Sequence, residues 1–303
     1  MPETLSQTAR TWLPRLLLLN LIVEIGIVVT GGLVRLTGSG LGCPTWPECV
    51  PGSYVPTVEQ EEGIHKLIEF GNRTLTGLLG FVALALLIAL YRWARDRREL
   101  ITGTWVVMVG IAAQAIVGGI TVRTGLNPWI VAFHFLCSMV LIAVSAWLYW
   151  RQQQPSGRTH SLLHPLVTRL QWLLVAVAVA VLALGTVVTG SGPHSGDAET
   201  PARTGFDPRT ISWLHADAVM LFVGICVAVW LGAKLTERAA GPARAWWVVL
   251  WVTLAQGLVG YVQYLTKLPE VLVLAHMLGA SLLVVAITRA IVLSRTTEPL
   301  PAD

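Results

Sequence analysis

The sequence carries little charge: of its 303 residues only 13% are charged, whereas 54% are hydrophobic. Together with a mean hydropathy of +0.66, these values fit a chain that crosses a membrane several times rather than a soluble domain. The formal net charge of +4 does not indicate nucleic-acid binding, because the basic residues lie between apolar segments. We therefore expect a polytopic membrane protein.

Cysteine is also scarce, with four residues in the chain. Cys137 and Cys226 fall inside apolar segments, where we expect free thiols. Cys43 and Cys49 lie in one predicted outer loop, an oxidising environment that favours a short disulfide. Metal binding by this pair is disfavoured, because the loop holds neither a histidine nor a third cysteine.

Long apolar runs are abundant. Crossing a membrane takes about 20 mostly apolar residues. Eight segments meet this requirement: 13–36, 67–91, 101–122, 129–150, 168–190, 210–233, 245–265 and 270–293. We expect the first not to be a cleavable signal, because Gly and Arg follow it in place of a small-residue cleavage site. The pattern predicts an all-α integral membrane protein with eight transmembrane helices.

Basic residues mark one side of the membrane. They concentrate before the first segment and after the second, fourth, sixth and eighth, as in Arg92, Arg95, Arg97 and Arg98. By the positive-inside rule, both termini are then cytoplasmic. The loops that face outward are 37–64, 123–128, 191–209 and 266–269.

The two halves of the chain repeat one pattern. A glutamine lies 20 residues before a histidine in each half, as Gln114 and His134 and as Gln256 and His276. A Val-Val-Thr-Gly run also occurs in both the first and the fifth segment. We therefore predict two tandem, pseudo-symmetric four-helix units of parallel orientation, 13–150 and 168–295, joined by a cytoplasmic linker, 151–167.

Four of the seven histidines begin the even-numbered segments, near their outer ends: His65, His134, His215 and His276. Paired histidines in a four-helix bundle suit either axial ligation of haem or a zinc or di-metal site. Zinc requires three or four converging ligands, and the residues one turn after His215 are Ala218 and Val219. Haem iron, with one pair of histidines per unit, is the favoured interpretation.

The first half alone surrounds its histidine with polar groups. On a helix, Glu62, His65, Glu69, Asn72 and Arg73 would share one face. The alternative is a solvated interfacial face with a Glu69–Arg73 ion pair. Since acid–base chemistry needs such groups and electron transfer does not, we expect the first half to react and the second to hold a resident haem. Candidate contacts for the haem propionates, with lipid headgroups as the alternative partner, are Arg35, Arg73 and Arg123.

At these residues the sequence resembles the haem A synthase family. The resemblance covers residues 15–295 and includes the run from Thr30 to Pro44, the Pro-Glu-Cys that ends at Cys49, the run from Glu62 to Arg73, Gln114-Ala-Ile-Val-Gly-Gly119 and the four histidines. It implies an eight-span, two-unit fold. It also implies stepwise oxidation of the ring methyl of haem O to the formyl group of haem A, for terminal oxidase assembly. The family often has His-Arg where this chain has Asn72-Arg73, so no role carries over to that neighbouring position.

The resemblance also implies roles for individual residues. Glu62 would be the catalytic carboxylate, His65 and His134 would line the substrate haem O, and His215 and His276 would ligate haem b. Cys43 and Cys49 would be the family's cysteine pair. We expect a plasma-membrane protein with haem sites toward the outer face. Its candidate partners are haem O synthase, a quinone or other electron acceptor, and a second copy of the chain.

Two other functions compete with this one. A di-haem b-type electron-transfer subunit would not need the polar groups around His65. A repeat-built transporter would carry its polar residues near the middle of the membrane rather than at the outer boundary.

Overall fold

The computed structural model describes residues 7–58, 60–197, 201–236 and 240–298. Within these residues, eight helices are long and apolar enough to cross a membrane. They are α1 (Gln7–Leu36), α2 (His65–Trp93), α3 (Arg98–Arg123), α4 (Pro128–Arg151), α5 (Pro165–Ser191), α6 (Pro208–Lys234), α7 (Ala240–Leu265) and α8 (Glu270–Leu293). The prediction of eight membrane-spanning helices is confirmed, and most of them extend a few residues beyond the predicted bounds.

Capping side chains and proline fix the starts of several helices. Asn127 accepts a hydrogen bond from the Trp129 N–H at 3.0 Å, and Pro128 occupies the first turn of α4. At the start of α6, Asp207 accepts from the Thr210 hydroxyl at 2.6 Å and from the Thr210 N–H at 2.8 Å. These bonds, the hydroxyl first, hold the pKa of Asp207 below its usual range. The loop chemistry therefore sets where α4 and α6 enter the bundle.

The helices pack beside their neighbours in sequence and close into two rings. In the first half, α1 and α3 each contact both α2 and α4. In the second half, α6 contacts α5 and α7, and α8 contacts the same two helices. The halves meet where α8 contacts α1 and α4 and where α4 contacts α5. In each half, the two helices that carry the predicted histidine pair thus share the same two neighbours.

Apolar side chains fill one end of the molecule. We call the end at which α2, α4, α6 and α8 begin the histidine end, and the opposite end, where residues 152–164 connect α4 to α5, the linker end. One core cluster includes Leu17, Leu86 and Leu148, and another includes Leu174 and Trp246. Along α6, α7 and α8, the buried residues all lie from Phe222, Thr253 and Ser281 toward the linker end. Close packing of apolar side chains therefore stabilises the linker end, and the histidines lie toward the opposite end of the helices.

The molecule is not purely helical. Strand β1 (Arg158–Ser161), in the linker, pairs antiparallel with β2 (Arg295–Glu298), which follows α8. The α4–α5 linker and the chain after α8 both leave the bundle at the linker end, so their backbones can pair there. Segments of four residues are too short for side-chain periodicity to identify, and the sequence therefore predicted only a polar linker.

Candidate functional site

The polar cluster of the first half is built where α2 begins. His65 is the first residue of α2, and Glu62 lies in the preceding turn, where its carbonyl accepts the His65 N–H at 3.0 Å. The prediction that Glu62 shares a helical face with His65 is wrong, because Gly63, with a φ of +55°, breaks the helical path between them. One carboxylate oxygen of Glu62, Oε2, is buried without a hydrogen-bond partner.

Glu69 and Arg73 form a buried ion pair one turn inside α2. The guanidinium of Arg73 donates to Glu69 Oε1 from Nη2 at 2.6 Å and from Nε at 3.0 Å. The other oxygen of Glu69 accepts the Cys43 N–H at 2.7 Å, and Arg73 Nη2 donates to the Cys43 carbonyl at 2.7 Å. Removing one partner of such a buried pair costs about 3–5 kcal/mol. We call this arrangement the Glu69–Arg73 clamp; it binds the backbone of the loop before α2.

That loop carries a disulfide between Cys43 and Cys49. Its Trp46 packs so closely on α3 that a Cβ at Gly119 would overlap the indole ring. Arg123 secures the same residue by donating to the Trp46 carbonyl from Nη2 at 2.9 Å and from Nε at 3.2 Å. The loop therefore lies over the histidine end of the first half, attached to both α2 and α3.

Ser39 contacts the ring of His65. The Ser39 hydroxyl lies 2.8 Å from His65 Nδ1, and Ser39 is completely buried, whereas His65 is exposed. Next to Ser39, the Gly40 N–H donates to the Gly196 carbonyl at 2.9 Å, which joins this loop to the corresponding loop of the second half. A partner at one ring nitrogen limits the rotation of a histidine, so Ser39 constrains the orientation of the His65 ring.

The other three histidines share a different environment. Each is half-buried, and Nδ1 of each ring is buried without a hydrogen-bond partner in His134, His215 and His276. Each ring also lies over a glycine of the preceding helix, since an added Cβ would lie 3.2–3.5 Å from the ring Cε1 at Gly118, Gly185 and Gly260. The three rings thus occupy equivalent niches near the histidine end.

The repeated glutamines hold two of these histidines. Gln114 Nε2 donates to the His134 carbonyl at 2.8 Å, and Gln256 Nε2 donates to the His276 carbonyl at 2.9 Å. The spacing of 20 residues that revealed the repeat is therefore a helix-to-helix hydrogen bond between a glutamine and the backbone of the facing histidine.

The four histidines do not lie at one distance from the start of their helices. His134 and His276 are six residues after the first residue of their helices, and His215 is seven, which places them about 9–10 Å along the helix axis. His65, by contrast, is the first residue of α2. The two halves therefore differ in where one helix begins relative to its histidine, as well as in the groups around that histidine.

The three candidate propionate contacts are already bonded to backbone carbonyls. Arg35 donates to the His194 carbonyl at 2.8 Å and to the Thr189 carbonyl at 3.2 Å, both in the second half. Arg73 belongs to the clamp, and Arg123 holds Trp46. In the structure, these arginines position the loops of the histidine end, and a propionate contact stays a prediction for each.

Sequence motifs do not identify some of the polar residues of the first half. Asn20 and Glu24 are buried on α1, with 1% and 2% of their surface exposed. The sequence signal that identifies Glu24 is a carboxylate in the middle of an apolar run, which is costly in a membrane and so marks function by default. Ser39 belongs to a recognised motif, but only the folded loop reveals its contact with His65.

In the part of the chain that the structure describes, no three His, Cys, Asp or Glu side chains gather into a group that could hold a metal ion. Of the four histidines, His65 and His134 belong to the first half, and His215 and His276 belong to the second. These features define a class: a multi-pass membrane protein with two histidine-bearing helices in each half.

Comparison with known proteins identifies the family. The model of the COX15-CtaA family, described as cytochrome oxidase assembly protein, matches residues 14–288, and the chain belongs to this family. A haem A synthase of Lysinibacillus sphaericus is 28% identical over 275 residues, which cover 85% of this chain and 87% of that protein. A haem A synthase of Alkalihalophilus pseudofirmus is 29% identical over 191 residues, 58% of this chain and 60% of that protein. One from Bacillus mycoides is 34% identical over 133 residues, 44% and 40% of the two chains.

Replacing Gly42 tests whether the loop is fixed against α2. A Cβ at Gly42 would overlap the backbone carbonyl of His65 and approach the Lys66 nitrogen, neither of which can move as a side chain can. We expect Gly42→Ala to lower the unfolding free energy by about 1–3 kcal/mol. The variant should also speed reduction of the Cys43–Cys49 disulfide, measured by thiol labelling after brief treatment with a mild reductant.

Gly71→Ala is the matched control, because Gly71 lies in α2 and an added Cβ there meets no heavy atom within 4 Å. It should keep the wild-type melting temperature and disulfide protection. If Gly42→Ala behaves like Gly71→Ala, the loop is not held against the start of α2.

Proposed function

We propose that this protein is a haem A synthase, which oxidises the ring methyl of haem O stepwise to the formyl group of haem A. The observation that carries the proposal is the difference between the surroundings of the histidines in the two halves. His65 lies next to Glu62, Glu69 and the disulfide loop, whereas the residues one and two turns after His215 are the apolar Val219 and Phe222. Membership of a family whose relatives are named haem A synthase supports it. The same difference weighs against a di-haem electron carrier, which would use two similar sites.

We further propose two tandem, pseudo-symmetric four-helix units, residues 13–150 and 168–295, with 151–167 as linker. The two rings of helix contacts support this division. The basic residues at the linker end support cytoplasmic termini. With bacterial relatives, the protein would lie in the plasma membrane, with the haem sites toward its outer face.

In the second unit, His215 and His276 would hold haem b. The residues fit this group: both rings present a buried Nδ1 without a partner, and each ring packs against a glycine of the preceding helix. When bound, haem b would supply electron transfer. The protein contributes an apolar surrounding, since Val219 and Phe222 stand where the first unit has Glu69 and Asn72. On this face of α6, the side chains one and two turns after His215 therefore carry no group that could exchange protons.

In the first unit, His65 and His134 would line the substrate haem O. Ser39 fixes the ring of His65, and Gln114 fixes the backbone at His134. Glu62, with one buried and unpartnered carboxylate oxygen in the turn before His65, would accept a proton from the methyl group as it is oxidised. The disulfide loop would cover this site, held by the Glu69–Arg73 clamp.

Partners follow from this chemistry. The substrate would come from an enzyme that makes haem O, and the electrons would leave to a quinone or another acceptor in the membrane. Arg35, Arg73 and Arg123, at the histidine end, would be the contacts for haem propionates.

The activity is tested in cells that make haem O but no haem A. Expressing this chain should lead to haem A in the extracted haems, detected by chromatography and mass analysis. Glu62→Gln should give similar protein and haem b content but lower haem A yield by a factor of about 100, because general acid–base catalysis contributes about 10²–10⁴-fold. Wild-type yield from the Gln variant would remove Glu62 from the mechanism, and absence of haem A with the wild-type chain would refute the activity.

The division of roles is tested by the haem content of purified histidine variants. His276→Ala should lose haem b, because it removes one of the two residues that would hold this haem. His65→Ala should keep most haem b and stop turnover, with haem O or a partly oxidised haem still bound. The reverse outcome, haem b lost from His65→Ala and kept by His276→Ala, would exchange the roles of the two units.

A further inference from the structure

Glu24 is a carboxylate in the middle of the membrane-spanning part of the first half. It lies 12 residues before Leu36, the end of α1, and therefore about 18 Å from the histidine end. Only 2% of its surface is exposed, and its Oε1 atom is buried without a hydrogen-bond partner. An ionisable group at that depth is costly and is retained only where it serves a purpose.

The contacts of α1 place Glu24 inside the first half rather than against lipid. Asn20, Glu24 and Gly31 follow one stripe of the helix, at spacings of four and seven residues. At one end of this stripe Asn20 donates to the Ser145 hydroxyl of α4 at 2.9 Å. At the other end a Cβ on Gly31 would lie 3.8 Å from Nδ2 of Asn72 on α2. Glu24 therefore lies between α2 and α4, the helices that carry the histidines of this half.

Polar side chains of α1, α2, α3 and α4 lie between this position and the histidine end. Thr30 donates to Asn72 Oδ1 at 2.7 Å, and Gln114 donates to the Ser138 hydroxyl at 2.6 Å as well as to the His134 carbonyl. On the linker side of Glu24, Asn20 also has a buried oxygen without a hydrogen-bond partner. The apolar cluster of the linker end begins after Asn20. We call this set the polar column; it consists of Asn20, Glu24, Thr30, Asn72, Gln114, Ser138 and Ser145.

The repeat provides an internal comparison. The two halves can be aligned on their shared Thr-Gly and histidine positions. In this alignment, apolar residues of the second half stand at five positions of the polar column. The replacements, in the order Asn20, Glu24, Asn72, Ser138 and Ser145, are Val179, Ala183, Phe222, Ala280 and Ile287. Three of these replacements, Phe222, Ala280 and Ile287, line an apolar cavity in the second half. These five polar residues are therefore not a requirement of the fold, since the second half forms a corresponding ring of helices without them.

The other titratable side chains on the helices packed against α1 lie toward one end of the molecule or the other. Those toward the histidine end are His65, Lys66, Glu69 and Arg73 on α2, His134 and Cys137 on α4, and Glu270 and His276 on α8. Those toward the linker end are Tyr91 and Arg92 on α2, Tyr149 and Arg151 on α4, and Arg289 on α8. Glu69 is bonded to Arg73 and to the Cys43 N–H. Among the described carboxylates on α1, α2, α4 and α8, Glu24 lies deepest in the first half and lacks a cationic partner within salt-bridge distance.

We propose that Glu24 is a proton-holding group at the base of the substrate site, an inference that rests on the proposed function. When the hydroxymethyl intermediate becomes the formyl group, one C–H and one O–H bond break, a C=O bond forms, and two electrons and two protons leave. The electrons pass to the membrane electron acceptor. One proton binds the Glu24 carboxylate, which becomes a neutral carboxylic acid, and the other leaves at the histidine end. Glu24 later returns its proton along the polar column.

Infrared difference spectroscopy of the purified holoprotein with haem O tests this directly. During turnover, the wild-type protein should show a new band of a protonated carboxyl group that shifts in heavy water, and Glu24→Gln should lack it. Glu24→Gln should also slow formation of the formyl product at least about 10-fold, so that the hydroxymethyl haem accumulates. Glu24→Asp keeps a proton acceptor and should retain both the band and most of the rate.

Gln171→Leu is the matched control, since Gln171 is a buried polar residue of α5 with 2% of its surface exposed and an unpartnered oxygen, outside the polar column. It should leave the band and the rate unchanged. A wild-type rate and band in Glu24→Gln would overturn the inference while leaving the proposed activity intact. Absence of haem A from the wild-type protein would instead refute the activity itself. If Glu24→Gln fails to accumulate in membranes, a Glu24→Asp variant that lacks the band or the rate overturns the inference.

Discussion

The buried ion pair of Glu69 and Arg73 is the interaction on which the histidine end of the first half depends. Its two side chains make two hydrogen bonds to each other and three to the backbone at Cys43 and Thr45. The pair is largely removed from water, with 7% and 22% of the side-chain surfaces exposed. Losing either partner would leave the other charge buried without a counter-charge. The loop stabilises the pair by supplying the remaining hydrogen bonds, from the backbone at Cys43 and Thr45.

The clamp also explains how the disulfide loop is held in one position against the helices. The disulfide restricts the loop but does not attach it to a helix. Attachment comes from Arg73 on α2 and Arg123 on α3, and the close approach of Gly42 to the backbone of His65 leaves little freedom between them. Ser39, just before this loop, then meets the His65 ring. Positioning of the first histidine thus depends on the loop fold, whereas the other three histidines are positioned by helix packing alone.

The second half is the simpler form of the same unit. It keeps the glutamine, the glycine niches and two histidines, whereas apolar residues stand for Glu69 and for five of the seven residues of the polar column. This difference is large in energetic terms, because each buried polar group without a partner costs about 1–3 kcal/mol. The chain accepts that cost at Asn20 and Glu24 in the half where the proposed reaction takes place, whereas Val179 and Ala183 stand at the corresponding positions of the other half.

Much of this arrangement is visible in the sequence. Eight apolar runs define the helices, and the Gln–His spacing reveals both the repeat and a real hydrogen bond between helices. Helical spacing does not predict the turn at Glu62, because the left-handed backbone of Gly63 ends the periodicity. The Ser39–His65 contact and the β1–β2 pairing join residues through loops, where no periodicity exists. Glu24 was visible as a lone carboxylate in an apolar run, but only its burial and its missing partner give it a role.

The central claim is that one half holds a resident haem b and the other a haem that is supplied as substrate. The most direct measurement is the haem content of the wild-type protein purified from cells grown with and without a source of haem O. The claim predicts a constant haem b content under both conditions, with haem O or its oxidised products bound only when haem O is supplied. Haem b that rises to fill a second site when haem O is withheld, or that disappears with it, would contradict the claim.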